Sequence, residues 1–209
     1  MSALRRLRNF WIPCTTTIVL GCFSHAVAQV RYRVTDLGTL GNDNLSCAVS
    51  VNNQGWTYIQ DANMVPGQQD NAGGKILNAR DAIVINGSQF DLGPLGGQNS
   101  WMNWGAINDR GQIVGFSETD VLDPNGEDVC GFGTHRMCLP FFWQDFHMSA
   151  LPTLGGNNGQ ASAINNRGQI VGFAENGLVD STSPANTTNN RIALPVLWEK
   201  GKAQPSYGG

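Results

Sequence analysis

The decapeptide INDRGQIVGF (Ile107–Phe116) returns 57 positions later as INNRGQIVGF (Ile164–Phe173), with Asp109 against Asn166 as the single difference. Self-similarity at a fixed period marks architectures in which one supersecondary unit is copied and each copy shields its neighbour from water. A chain like this must therefore fold as one small module used several times.

Other elements keep the same frame. A leucine–glycine element reads DLGTLG at Asp36–Gly41, DLGPLGG at Asp91–Gly97 and LPTLGG at Leu151–Gly156, and AQPSYGG at Ala203–Gly209 keeps its spacing. An asparagine turn reads VNNQG at Val51–Gly55, INDRG at Ile107–Gly111 and INNRG at Ile164–Gly168. The third element is RMCLPFFWQD (Arg136–Asp145) against RIALPVLWEK (Arg191–Lys200), with RDAIVING (Arg80–Gly87) as a degenerate first copy lacking the tryptophan. The glycine pairs recur at spacings of 55, 59 and 53 residues. Three units result, approximately 36–90, 91–150 and 151–209, within a repeat domain over 29–209.

Each unit reads as four short antiparallel strands. ASAIN (Ala161–Asn165) and QIVGFA (Gln169–Ala174) flank a turn of Asn and Gly, residues that tolerate positive φ, and together predict a β-hairpin. LPFFW and LPVLW are the third strands, and the fourth leads into the glycine pair. Proline lacks a ladder donor, so these later strands are expected at an edge or with a bulge. The residues expected to carry the repeat are Gly96, Gly97, Asn108, Gly111, Gly115, Trp143, Gly155, Gly156, Asn165, Gly168, Gly172 and Trp198. The two tryptophans are read as packing between units. Repeated four-stranded sheets predict an all-β, β-propeller-like array of about three blades. Composition agrees, since the 26 glycines among 209 residues suit short strands and tight turns better than helices.

Residues 1–28 read as an export signal. Arg5, Arg6 and Arg8 precede an apolar run at Phe10–Phe23, and Ala26–Ala28 offers small residues for cleavage. The run is shorter than the ~20 residues a membrane span needs. A retained anchor and a lipidated Cys22 are the competing readings. Cleavage removes three of the 13 basic residues and none of the 16 acidic ones, moving net charge from −3 to −6. Such a surface repels phosphate backbones, so nucleic acid is excluded as a partner.

Export permits disulfides. Cys130 and Cys138, eight apart, are the candidate pair, leaving Cys47 unpaired or buried in a strand. Zinc is not expected, because His135 and His147 lack ligand-pair spacing. The run Ser117–Met137 holds six side chains with carboxylate or amide oxygens but not the order of a calcium loop. It is expected to be a solvated acidic loop, with calcium as the alternative.

LGTLG, INNRGQIVGF, LPVLW and LGG in this order resemble the HAF-type extracellular repeat of bacterial secreted proteins, over about Tyr32–Gly209. The chain departs from it in writing LPFFW and LPVLW where that family commonly has His-Ala-Phe. The resemblance implies export, a propeller-like repeat array and no established enzymatic activity. Closed propellers have four to eight blades, so three units imply a truncated member, a ring completed by several chains, or an open array; truncation is the favoured reading.

No nucleophile elbow, zinc-protease helix or phosphate-binding glycine loop is present, so neither an enzyme nor a cofactor is expected. The chain is read as a secreted or cell-surface binding module, its loops Ser117–Met137 and Ala174–Asn190 contacting a glycan or surface protein. The alternatives are a polysaccharide hydrolase or lyase using carboxylates such as Asp91, Asp109, Asp145 and Glu175, or a fragment without function of its own.

Overall fold

The computed structural model describes residues 32–41, 43, 45–66, 74–101, 105–182, 191–200 and 202–205. The proposed export signal and the residues after 205 lie outside this set, as does 183–190 of the second loop proposed to bind. Tyr32–Thr35 belong to a separate N-terminal unit, and Asp36 onward forms the unit described below.

Every regular element of the described residues is a strand. The first sheet is β1 (Leu45–Val51), β2 (Thr57–Pro66), β3 (Gly74–Ile85) and β4 (Ser88–Asp91). The second is β5 (Gly96–Trp101), β6 (Ile113–Leu122), β7 (Arg136–Gln144) and β8 (His147–Ala150). The third is β9 (Gly159–Ile164), β10 (Ile170–Val179), β11 (Arg191–Glu199) and β12 (Lys202–Pro205). Each sheet is an antiparallel meander whose neighbours in sequence are neighbours in space. The arrangement is consistent with a propeller-like array that is not closed.

The three sheets share one register. Thr57 lies opposite Val84, Ile113 opposite Trp143 and Ile170 opposite Trp198. The central pairing slips late in each sheet, after Asp61, Glu118 and Glu175, the last two at equivalent positions. Thus Arg80 corresponds to Leu139 rather than to Arg136.

Side chains alternate across a strand, so each sheet has two apolar faces, and these stack on one another. Ile113, Phe141 and Trp143 of the second sheet face Tyr58 and Ile83 of the first. Ile170, Val196 and Trp198 of the third face Val114 of the second, and all of these are buried in one shared core. The connections between sheets wedge into the same core through Leu92 and Leu151, with Leu95 and Leu154 packed against it.

Two expectations need correction. Pro140 and Pro195 sit in β7 and β11, which are inner strands, and neither lies at a bulge. The ladder tolerates Pro140 because β8 stops one residue short. Phe141 pairs with Ala150 and Val196 with Pro205, and the Pro140 carbonyl faces that same flank, where it accepts from Leu151 N at 2.7 Å. The missing N–H therefore costs no ladder bond. The second correction concerns the acidic loop. Asp123 and Glu127 are buried, at 6% and 1% exposure, while Asp120 is exposed and Asp128 half-buried, so the loop is only partly solvated.

Candidate functional site

The repeated decapeptide has a specific structural use. Asn108 Oδ1 accepts from the N–H of Arg110 and Gln112, holding its own turn, while Asn108 Nδ2 donates to the Asn165 carbonyl at 2.9 Å. Asn52 does the same one unit earlier, accepting from Gln54 and Trp56 and donating to the Asn108 carbonyl at 3.0 Å. Asn165 accepts from Arg167 and Gln169. A single side chain thus closes the hairpin turn and ties it to the next sheet. No aspartate can do this, because the second function needs the amide donor.

The one position that differs between the decapeptides runs a second ladder. Asp109 accepts from Asn53 N and Nδ2 and from Asn166 Nδ2, and its own N–H donates to Asn166 Oδ1. Those donors, the Asn53 N–H foremost, hold the Asp109 carboxyl below the usual range. Arg110 follows in the turn, and Gly111 must be glycine: φ is +72° and a Cβ would lie 2.3 Å from the Trp56 ring.

Beside these turns a cleft of ≈ 400 Å³ opens between the second and third sheets. Its walls are apolar, with Phe142, Leu151, Ile170 and Trp198, and its rim carries Arg110, Arg167 and Lys200. Trp198 is spent on structure, donating its indole N–H to the Pro152 carbonyl at 2.8 Å. Arg110 is steadied by Gln112, which accepts at 2.8 Å. Among the described residues, the Arg167 guanidinium and Lys200 ammonium make no ion pair or hydrogen bond. Three cations around a half-enclosed apolar floor suit an anionic ligand with an apolar face.

The equivalent space between the first and second sheets is filled. Trp56 stands where the second unit has Gln112, and Phe90 where it has Ser149. Phe146 lies edge-on to Phe90 and Trp143, with ring centroids 5.4 and 5.6 Å away. The cleft therefore exists because the second unit carries Gln112 and Ser149 in place of two of these rings, and the sequence has Gly201 at the third unit's counterpart of Phe146.

At the opposite end of the sheets lies a buried acid cluster. Asn158 Nδ2 lies within 2.9 Å of Asp123 Oδ2 and 3.2 Å of both Glu127 Oε2 and Glu175 Oε2. Its Oδ1 accepts from Cys138 N of the second sheet. Burial, then the nearby Glu175 charge, pushes the Glu127 carboxyl up to about 7. Glu175 is also raised, by burial first, against the bonds from Asn158 and Asn157. Glu118 is the same position one unit earlier; it accepts from Asn99 Nδ2 at 2.7 Å and from Thr134. Asn99 Oδ1 in turn accepts from Ala79 N of the first sheet. These groups brace neighbouring sheets, and among the described residues no set of three or more ligating side chains is arranged to hold a metal ion.

The acids also explain the glycine pair. A Cβ on Gly97 would lie 2.6 Å from Glu118 Cβ, and one on Gly156 2.3 Å from Glu175 Cβ. Where the glutamate is replaced by Ala62, the second glycine is replaced as well, by Asn42 in the sequence. Gly96 and Gly155 share φ of +110° just before. Gly115 and Gly172 lie under neighbouring backbone, where a Cβ would approach Trp101 O to 2.6 Å and Gln160 O to 2.0 Å. Gly168 closes the third turn under the Arg110 guanidinium. Trp143 and Trp198 are buried, at 3% and 1% exposure.

Cys130 and Cys138 form a disulfide, and Cys47 is free and exposed on β1. Burial, then the charges of Asp61 and Asp81, raises the Cys47 thiol. Arg136 and Arg191 bond carbonyl oxygens of their own hairpins, Asp120 and Gly177, and Arg191 also reaches Asn125. The four carboxylates named for hydrolysis do not share a site: Asp91 pairs with Arg80, Asp109 belongs to the ladder, Asp145 lies in the β7–β8 turn, and Glu175 is in the buried cluster. No helix of the described residues is long and apolar enough to cross a membrane.

Fold and site together define a tandem array of four-stranded antiparallel sheets with one polar-rimmed cleft. No protein-family model, curated protein or solved structure matches the chain.

Proposed function

We propose that the chain is an exported binding module of the HAF-type repeat kind, without catalysis, and that its ligand is an anionic extracellular glycan held in the cleft between the second and third sheets. The observation that carries this reading is the trio Arg110, Arg167 and Lys200 around an apolar floor, on a chain whose formal charge is negative. Uronate-type sugars offer both a carboxylate for such cations and an apolar ring face for Phe142 and Ile170. The disulfide supports export to an oxidising compartment.

This moves the proposed contact surface. The loop over Ser117–Met137 spends Asp123, Glu127 and Val129 on Asn158 and Gln160 of the third sheet, which leaves the turn end for the ligand.

Calorimetry of the folded protein against acidic and neutral oligosaccharides tests the reading. Binding to uronate oligomers is expected to weaken with salt and to drop at least ~10-fold in Arg167→Ala with Lys200→Ala, one or two charge-assisted bonds' worth. Binding to no glycan, or binding indifferent to these substitutions, would overturn it. Export is checked separately by N-terminal sequencing of secreted material, which should begin at Gln29.

A further inference from the structure

We propose that the outer face of the third sheet receives the first sheet of a second copy of this chain, so that two chains close one six-bladed ring. The proposal is independent of the ligand reading above.

The two internal interfaces show what such a face is for. Val114, Phe116 and Cys138 of the second sheet are 0%, 6% and 0% exposed, because the third sheet covers them. Their counterparts by register are Val171, Phe173 and Ala193. Val171 is 47% exposed, Ala193 is exposed and Phe173 only half-buried. Together with Ser162 and Gly172 they line a shallow apolar depression of ≈ 630 Å³. Residues of the same type in the same place are core in one sheet and surface in the next.

The opposite end of the array is already dressed as the next blade. Ile59, Ala82 and Val84 of the first sheet are covered by Leu37 and Leu40. Those leucines correspond to Leu92 with Leu95 and to Leu151 with Leu154, the wedges that lie between successive sheets. The first sheet with its Asp36–Gly41 segment therefore presents what the third sheet presents to the second.

The polar ladders name the occupant more sharply than the apolar face does. Asn52 and Asn108 each send Nδ2 to the carbonyl of the next turn, whereas Asn165 is exposed and, among the described residues, its Nδ2 reaches only Gln169 of its own turn, at 2.9 Å. At the other end, the Asn108 carbonyl accepts from Gly111 N and from Asn52 Nδ2, whereas the Asn52 carbonyl accepts, among the described residues, only from Gly55 N. One end has a donor to spare and the other an acceptor. The outer ladder ends the same way, with the N–H of Asn166 matching Oδ1 of Asn53. A second copy supplies both halves at both seams. Head-to-tail contacts of this kind close into rings when the rotation permits, and closed arrays hold about four to eight blades. Two copies of the three described sheets meet that count, and three copies exceed it.

Sedimentation velocity on the purified chain, with Val171→Glu and with Asn53→Cys plus Asn166→Cys in a Cys47→Ser background, tests the ring. The expected results are a dimer for the native chain, loss of the dimer in Val171→Glu with unchanged far-UV circular dichroism, and a covalent dimer under mild oxidation only when both new cysteines are present. A monomeric native chain would overturn the proposal and leave a further sheet of another polypeptide as the occupant. A dimer indifferent to Val171→Glu, or open-ended polymers, would overturn it equally. Should Val171→Glu fail to fold, the cysteine pair decides, because it leaves the apolar face intact.

Discussion

Asp81 offers the sharpest energetic prediction. It lies on the face of the first sheet that the second covers, at the position where the later units carry Pro140 and Pro195, and it is 0% exposed. Among the described residues neither carboxylate oxygen has a hydrogen-bond partner of standard geometry. Burial drives its carboxyl up to about 7, with the hydroxyls of Ser100 and Tyr58 pulling it back only in part. Burial and the same carboxylate raise the Tyr58 phenol well above its ordinary range. In the unfolded chain Asp81 ionises near 3.9. Below about pH 4 both states hold the proton and Asp81 does not affect pH dependence. Between about pH 4 and 7 the unfolded state releases the proton while the native state keeps it, so native stability falls as pH rises. Above about 7 the penalty levels off. A shift of about three units corresponds to a ceiling of ~4 kcal/mol, and an effective interior dielectric above the dry limit lowers the expected value to about 2–3 kcal/mol. Asp81→Asn keeps the shape, removes the charge and adds a donor beside the two hydroxyls. Urea unfolding of both proteins from pH 4.5 to 8.5 reads the difference. The variant is expected to gain relative stability steadily up to about pH 7 and then hold it, by on the order of 2–3 kcal/mol. A stability difference that stays constant across that range would refute the reasoning, since Asp81 would then titrate as an exposed aspartate does.

Three further outcomes follow from the same contacts. Asn108→Ala removes two hydrogen bonds to turn N–H groups and one to the Asn165 carbonyl, and should cost about 2–4 kcal/mol in urea unfolding, each bond being worth roughly 0.5–1.5. Gly115→Ala drives a Cβ to 2.6 Å from Trp101 O and 2.8 Å from the Phe141 ring, so thermal melting should show severe destabilisation. Gly126→Ala has φ of +69° but nothing within 4 Å, and should cost only ~1 kcal/mol of backbone strain. Replacing both Cys130 and Cys138 by serine opens a short loop and buries a hydroxyl at the 0%-exposed Cys138 position. A loss of about 2–3 kcal/mol is expected from loop entropy alone, read as a lower denaturation midpoint that reducing agent reproduces in the parent.

What was legible in the residues is what depends on near neighbours in sequence. The Asn-x-x-Gly turn between Ile164 and Ile170, the period of the units and the Cys130–Cys138 bridge each involve groups a few positions apart, or copies of the same string. What stayed hidden depends on which faces meet. Asp123, Glu127 and Glu175 look like solvated acids until the third sheet brings Asn158 among them, and nothing local marks Asp81 as buried. Pro140 misled because its cost depends on where the flanking strand ends, a property of β8 rather than of LPFFW. The cleft was invisible for a similar reason, since it follows from Gln112 and Ser149 standing where Trp56 and Phe90 stand one unit before. One signal does lie in the sequence: Asn52, Asn108 and Asn165 are invariant within the chain, whereas the next position alternates Asn, Asp, Asn. A turn alone would accept aspartate at either.

The central claim is that successive sheets stack through equivalent residues and are tied by the asparagine ladder. Its most direct test is an NMR nuclear Overhauser experiment on the assigned side-chain amides of Asn52 and Asn108. The account predicts cross-peaks from each amide to protons of its own turn and of the turn one unit later, around Asn108–Asp109 and Asn165–Asn166 respectively. Cross-peaks confined to each residue's own turn would contradict it.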